Sequence, residues 1–338
     1  MHLTFYNQGE IRVAILITGV AGFVGVNLAA KFICKGYRVF GIDNFSRGTR
    51  SNMSHLFKSD LFEFMELDLT DPDSLLSSCL ILAKKEPVDE VWHLAANSDI
   101  PAGVADAAID LKDTFMTTYH ILNMMNKIGI YKLAFASSSA IYGDHGSNVL
   151  YENMGSLMPI SNYGAMKLGS EAMISAAAES FLQKAWIFRF PNVVGVPATH
   201  GVILDFIRKL MDNPDKLTVL GDGTQLKTYL HISELLEAMF WIREHAQEKI
   251  TTFNIGADDA GMTVKFIAQE VVRKMGDIAR IDYGQGNKGW VGDVPKFSLS
   301  IDRLKKLGWT PKMNSKESIL QAIKEIVSQE CSSEDNKF

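Results

Sequence analysis

The chain has 338 residues, room for one large or two modest domains, and its 47% apolar and 22% charged residues exclude a disordered or fibrous protein. A formal charge of −5 gives no basic footprint for nucleic acid or an anionic membrane, so any phosphate must be gripped locally, by backbone amides or a few lysines and arginines. Three scattered cysteines without CxxC spacing, no HExxH, no apolar run of membrane-spanning length and no apolar stretch within residues 1–12 predict a cytoplasmic protein without metal, disulfide framework or membrane anchor.

From Val13 onward, short apolar runs rich in β-branched and aromatic residues alternate with longer amphipathic stretches, the rhythm of βαβ units. "VAILITG" reads as a buried strand, residues 22–35 as a helix, "YRVFGID" as the second strand and "LFEFMELDL" as the third. A helix is expected over residues 71–84, with Asp71 as N-cap and Pro72 in the first turn. "VDEVWHLAA" is the fourth strand, an apolar-striped segment over about 105–128 the next helix, "KLAFASS" the fifth strand, residues 163–183 a helix and "AWIFRF" the sixth strand. Continuous apolar strands joined by helices imply an α/β, doubly wound parallel sheet covered on both faces. After Pro191 the rhythm loosens into helices near 202–211, 233–246, 264–275 and 316–327, short strands, and glycine-rich loops such as "LGDGTQ" and "YGQGNKGWVGDVP". The division expected is a Rossmann-type lobe over 13–190 and a smaller α/β lobe over 191–330, with "TFNIG" able to return a strand to the main sheet.

"TGVAGFVG" follows the first strand and opens the first helix. Gly19 can make the tight turn, Gly22 lets backbone approach a pyrophosphate, and Gly25 permits close helix packing. Phe23 and Val24 lie between them at a helix N-terminus that favours negative charge. Glycine turns after strands are also simply structural, but Asp43 at the end of the second strand, with Asn44 and Ser46 beside it, can accept both ribose hydroxyls of an adenosine. Its charge would repel a 2′-phosphate, which favours NAD over NADP; Arg47 and Arg50 nearby keep the alternative open. Asp68-Leu69 ends the third strand, where the carboxylate could accept from an adenine amino group or be an ordinary surface aspartate. Leu94, Ala95, Ala96 and Ser98 end the fourth strand with mostly small side chains that let backbone lie against a cofactor, and His93 reads as a packed core histidine rather than a base. The fifth strand ends in "SSSAIYG", and Tyr163 and Lys167 stand one helical turn apart in the segment that follows. Taken alone, neither the serines nor the pair is specific; together they would converge where a nicotinamide must lie.

These motifs, TGxxGFxG (Thr18 to Gly25), Asp43, Asp68-Leu69, HxAA (His93 to Ala96), SSxxxYG (Ser137 to Gly143) and YxxxK (Tyr163 to Lys167), in this order, resemble the extended short-chain dehydrogenase/reductases of the NAD-dependent nucleotide-sugar epimerase/dehydratase family over nearly the whole chain. The resemblance implies bound NAD, a nucleoside-diphosphate sugar as substrate with UDP-sugars favoured, and a catalytic Ser138, Tyr163 and Lys167, Ser138 being four residues before Tyr142. "RFPNVVG" resembles a segment whose asparagine, here Asn192, touches the sugar diphosphate, with Val194 departing from a tyrosine. "GDGTQLKTYLHISE" places Lys227 where many members carry a phosphate-binding arginine, and in "GWVGDVP" Trp290 replaces an arginine ahead of Asp293. Ser139 completes the expected substrate contacts.

The chemistry expected is proton removal from a sugar hydroxyl by Tyr163, hydride transfer to NAD, and return of hydride to the other face, most simply at C4. A free phenol titrates near ~10, and an adjacent Lys167 ammonium would favour the phenolate. Dehydration or decarboxylation begins with the same oxidation but needs a further acid or base, and Ala140 stands where the family's dehydratases and decarboxylases carry a glutamate. A non-catalytic NAD-binding scaffold is the remaining alternative, and it does not need Ser138, Tyr163 and Lys167 together. Apolar faces at Ala172, Ile174, Ala176, Ala177 and at Ile121, Leu122, Met125 imply, by the resemblance, a homodimer through paired helices; the same faces could simply pack on their own sheet.

Overall fold

The apolar runs become interior strands because helices cover both faces of the sheet they form. The structure, a computed structural model, describes residues 13–289 and 294–335. Seven parallel strands, β1 (Ala14–Thr18), β2 (Arg38–Asp43), β3 (Phe62–Glu66), β4 (Val88–His93), β5 (Lys132–Ser138), β6 (Lys184–Phe190) and β7 (Ile250–Asn254), lie in the order β3-β2-β1-β4-β5-β6-β7. The pleat divides β1 between two cores: Ile15 and Ile17 face Phe32, Trp92, Phe188 and Phe240, whereas Ala14 and Leu16 face Phe40, Val91, Leu133 and Phe135. Strand order reverses between β1 and β4, and the crevice beyond the carboxyl ends at such a point is where open sheets of this class bind ligands.

Helix α1 (Phe23–Cys34) follows β1, and α2 (Pro72–Lys85) is capped by Asp71, which accepts from the backbone N–H of Asp73 at 3.2 Å and of Ser74 at 3.1 Å. The single helix expected over 105–128 is instead broken into Ile100–Ala105, Ala107–Asp110, a π-helical stretch Leu111–Met116 and α3 (Thr117–Ile128). The side chains of Asp99 and Asp106 accept from Ala102 and Ala108 N–H, so Asp99 caps the first of these helices and Asp106 starts a new one in place of continuing it. Helix α4 (Asn162–Ser180) opens on Ser161, whose hydroxyl accepts from Gly164 N–H at 3.1 Å.

Beyond β6, helices Val202–Asp212, Val264–Lys274 and Ser315–Asp335 enclose a separate core that includes Ile207, Leu217, Val271 and Ile323. Helix Ile232–His245 instead packs Leu235, Met239, Phe240 and Ile242 against the main sheet, and β7 joins that sheet beside β6. Of the residues expected to present a partner face, Ile121, Leu122, Met125 and Ile174 are buried against the sheet, because that apolar stripe is what covers it; Ala172 and Ala176 are exposed. Among the described residues no helix is long and apolar enough to cross a membrane, and no group of three or more His, Cys, Asp or Glu could hold a metal ion.

Candidate active site

The cofactor end is built mainly from backbone. Gly19 takes a φ of 71°, and a Cβ there would lie 2.8 Å from Ala95 N, so the turn after β1 and the end of β4 can touch only through glycine. A Cβ on Gly25 would collide with the Gly19 carbonyl. Helix α1 begins at Gly22 without a side-chain cap, leaving its first amides for an anion. Asp43 is held at the end of β2: Oδ2 accepts from Ala21 N–H at 2.9 Å and Oδ1 from Phe45 N–H at 2.8 Å. Burial pushes its pKa up, and the backbone N–H groups of Phe45 and Ala21 oppose that rise. The two arginines that could have served a 2′-phosphate are engaged elsewhere, Arg47 with Asp99 at 2.9 Å and Arg50 over the Phe57 ring. Asp68 accepts from the backbone N–H and the hydroxyl of Thr70, so it also stabilises its own turn.

The reactive end lies between β5 and α4. Ser138 sits at the last position of β5 and accepts from Ala140 N–H at 3.1 Å. Its neighbour Ser137 is buried and donates to Glu171, which forms an ion pair at 2.7 Å with buried Arg189. Tyr142 is equally buried, donating to Asn254 Oδ1 at 2.7 Å and accepting from Arg189 at 2.8 Å, so of the tyrosines near this strand end only Tyr163 reaches the cavity. Lys167 Nζ is buried, donates to the Ala136 carbonyl at 2.7 Å and lies 5.8 Å from the centre of the Tyr163 ring. Ser138 hydrogen-bonds the Tyr163 side chain.

Electrostatics here differ from what spacing alone suggests. Burial pushes the Tyr163 phenol up to about 12, with the Ser138 hydrogen bond opposing and the charge of Asp110 adding to the rise. Burial brings Lys167 down to about 7, against the pull of Glu171 and Asp110. The expected dominance of the ammonium over the phenol is therefore reversed in the folded chain, because both groups leave water together. His93 is completely buried, its ring nitrogens 2.7 Å from the Thr18 hydroxyl and 3.2 Å from that of Thr118, and burial lowers its pKa to about 3. It is a packed core histidine.

Both ends open on one cavity of about 780 Å³. Gly19, Gly22, Phe23, Val24, Gly25, Asp43, Asn44, Ser46, Asp68, Leu69, Leu94, Ala95, Ala96 and Ser98 line it with Ser138, Tyr163 and Lys167, and Asn192 and Lys227 line its other wall. Ser139 opens a short 3-10 turn and is not among the residues that line this cavity; Asp293 and Trp290 lie outside the described residues. Sequence reasoning assigned no role to two further lining residues, Asn97, which stands between Ala96 and Ser98 just beyond β4, and Lys209 on the second lobe's helix Val202–Asp212.

A parallel sheet with a glycine turn at the switch point and an acidic end to β2 defines a dinucleotide-binding Rossmann architecture. The chain belongs to the NAD dependent epimerase/dehydratase family, whose model matches residues 15–256. A crystal structure of UDP-galactose 4-epimerase is 30% identical and superposes with a TM-score of 0.81 over 94% of this chain and 99% of that one. The UDP-glucose 4-epimerase of Thermotoga maritima, solved with UDP-glucose, is 26% identical with a TM-score of 0.81 over 94% and 99%. UDP-glucuronic acid decarboxylase 1 of Arabidopsis thaliana is 26% identical over 328 residues, 94% of this chain and 71% of that protein. NAD is thus the cofactor, and the chain fits it: Gly19 and Gly22 line the cavity, helix α1 begins at Gly22 without a side-chain cap, and Asp43, held by Ala21 N–H in the turn before that helix, lines the same cavity.

Proposed function

We propose that the protein is an NAD-dependent epimerase of a nucleoside-diphosphate sugar, a UDP-sugar by preference, inverting C4 through a transient 4-keto sugar. The observation that carries this reading is the meeting of Ser138, Tyr163 and Lys167 in one cavity with the glycine turn and Asp43. Residues 13–190 supply the cofactor wall and the reactive groups, and 191–330 mainly the nucleotide wall, with Asn192 and Lys227 toward the diphosphate. Tyr163 takes the proton of the C4 hydroxyl and later returns it, while Ser138 holds the reacting oxygen. Lys167, fixed by its bond to the Ala136 carbonyl, presents its charge to the phenol and the nicotinamide ribose. NAD, when bound, supplies a hydride acceptor that returns the hydride to the opposite face. A phenol raised by burial is a poor base until positive charge stands beside it, so the protonated form of Lys167 is the competent one.

The UDP-sugar preference is supported by relatives named for UDP-galactose, UDP-glucose and UDP-glucuronic acid. One of these is a decarboxylase, but Ala140 offers no acid or base for a step beyond oxidation, and inversion alone needs none. A homodimer is supported by the outward Ala172 and Ala176 of α4 with exposed Tyr119 of α3 and Leu111 of the π-helical stretch before it, and light scattering tests it. A cytoplasmic site is supported by Cys34, Cys79 and Cys331 being unpaired. The deciding experiment incubates purified protein with UDP-, GDP-, CDP- and dTDP-sugars and follows C4 by NMR. Inversion of a UDP-sugar supports the reading; a 4-keto-6-deoxy sugar or a pentose would replace it with dehydration or decarboxylation.

A further inference from the structure

Behind Tyr163 and Lys167 lies a buried acid that no step above uses. Asp110 is 0% exposed, at the end of the short helix Ala107–Asp110 where the chain passes into the π-helical stretch Leu111–Met116. Such stretches turn side chains in directions a regular helix does not and gather at functional sites. Its Oδ1 accepts from the Asn97 side chain at 2.8 Å, and Asn97 lines the cavity. Its Oδ2 is buried without a hydrogen-bond partner. Gly103 runs so close beneath that a Cβ there would collide with Oδ2, and the Gly103 carbonyl accepts at 2.8 Å from Asn162, the residue before Tyr163. The helix Ala107–Asp110 also packs directly on α4.

A buried carboxylate with an unpaired oxygen is costly unless a neighbouring charge compensates it. Burial raises the Asp110 carboxyl above the ordinary carboxylate range, the Asn97 hydrogen bond opposes that rise and Asp113 on the same stretch adds to it, while Lys167 is the cation whose field favours the carboxylate. Lys167 feels Glu171 on α4 first and Asp110 second, but Glu171 is already paired with Arg189; His93 at the end of β4 faces Lys167 too, and the field of Asp110 reaches Tyr163 as well. We propose that Asp110 is the buried counter-charge of the Tyr163–Lys167 pair, a positioning residue whose carboxylate holds the proton on both groups. The assignment rests on the epimerase reading only for the roles of that pair. Negative charge at this place favours ammonium over amine at Lys167 and phenol over phenolate at Tyr163, so it moves both protonation steps to higher pH.

Asp110→Asn keeps the shape and the bond to Asn97 while removing the charge. In protein with 13C-labelled lysine, the Lys167 Cε resonance, assigned by its loss in Lys167→Met, then titrates roughly half a pH unit or more lower. Both limbs of the pH profile of turnover move the same way, since each reports one member of the pair. Asp110→Ala gives the same displacement with lower thermal stability. A Lys167 titration that stays in place in a folded variant overturns the proposal, as does unfolding of both variants, which would make Asp110 a purely structural residue. Absence of turnover on every sugar nucleotide would sink the epimerase reading, and the lysine titration would still decide the role of Asp110.

Discussion

The two walls of the cavity are built by different means. The cofactor wall consists of strand ends and a helix N-terminus, so its geometry follows from the sheet itself: Gly19 meets Ala95 because β1 and β4 are neighbours, and Asp43 meets Ala21 because β2 pairs with β1. The substrate wall is assembled from side chains carried on separate pieces. Asn192 comes from the short strand Asn192–Val194, Lys227 from the two-residue strand Leu226–Lys227, and Lys209 from helix Val202–Asp212, where it is tied to Asp205 at 2.7 Å. A wall made by backbone register tolerates little change, whereas one that relies on lysines, whose ammonium rides on a flexible four-carbon stem, can adjust its reach to a phosphate. The chemistry is therefore expected to fail sharply when the first wall is altered and gradually when the second is.

Tyr163→Phe is the severest test. Removing the proton-transfer group while leaving the ring should lower turnover by about 10³-fold or more with NAD still retained. Turnover surviving this change would remove the distinction between the walls and revive a scaffold reading. Gly25→Ala comes next: its Cβ runs into the Gly19 carbonyl, so the glycine turn or α1 must shift, at a cost of about 3 kcal/mol. Thermal unfolding and the NAD content of purified protein should fall together, and a variant that keeps both would show the turn to be looser than the contacts imply.

Beneath the same wall, His93 makes stability depend on pH. Its folded pKa of about 3 lies below its ordinary value of 6.5, so between those limits the unfolded chain binds more protons and stability falls as the pH drops. The full effect is on the order of 4 kcal/mol. His93→Gln should flatten that part of the unfolding curve, and an unchanged slope would assign acid sensitivity to other groups. The smallest effect is expected on the second wall: Lys227→Ala should raise KM for the sugar nucleotide about tenfold and leave kcat nearly unchanged. An equal loss in kcat would show that this lysine helps the reacting state and that the two walls are not separate in function.

The glycine turn and Asp43 were legible from a turn and a strand end, whereas Ser138, Tyr163 and Lys167 stood out only through the order of all the motifs and the family they resemble, since neither the serines nor the pair is specific alone. The first six strands and the helices between them followed from the alternation of short apolar runs with amphipathic stretches, which is likewise a local signal. What the chain by itself determined, then, was the fold class and the cofactor, and it singled out the three residues proposed to react. Tertiary structure decided the rest. The fold interrupted the expected helix at Asp106, turned Ile121 and Ile174 inward, drew Arg47 to Asp99, and brought Asp110 behind Lys167 across 57 positions of sequence. Burial reversed the expected balance between Tyr163 and Lys167, because the cost of desolvating a charge depends on everything folded around it, and no window of neighbouring residues contains that information.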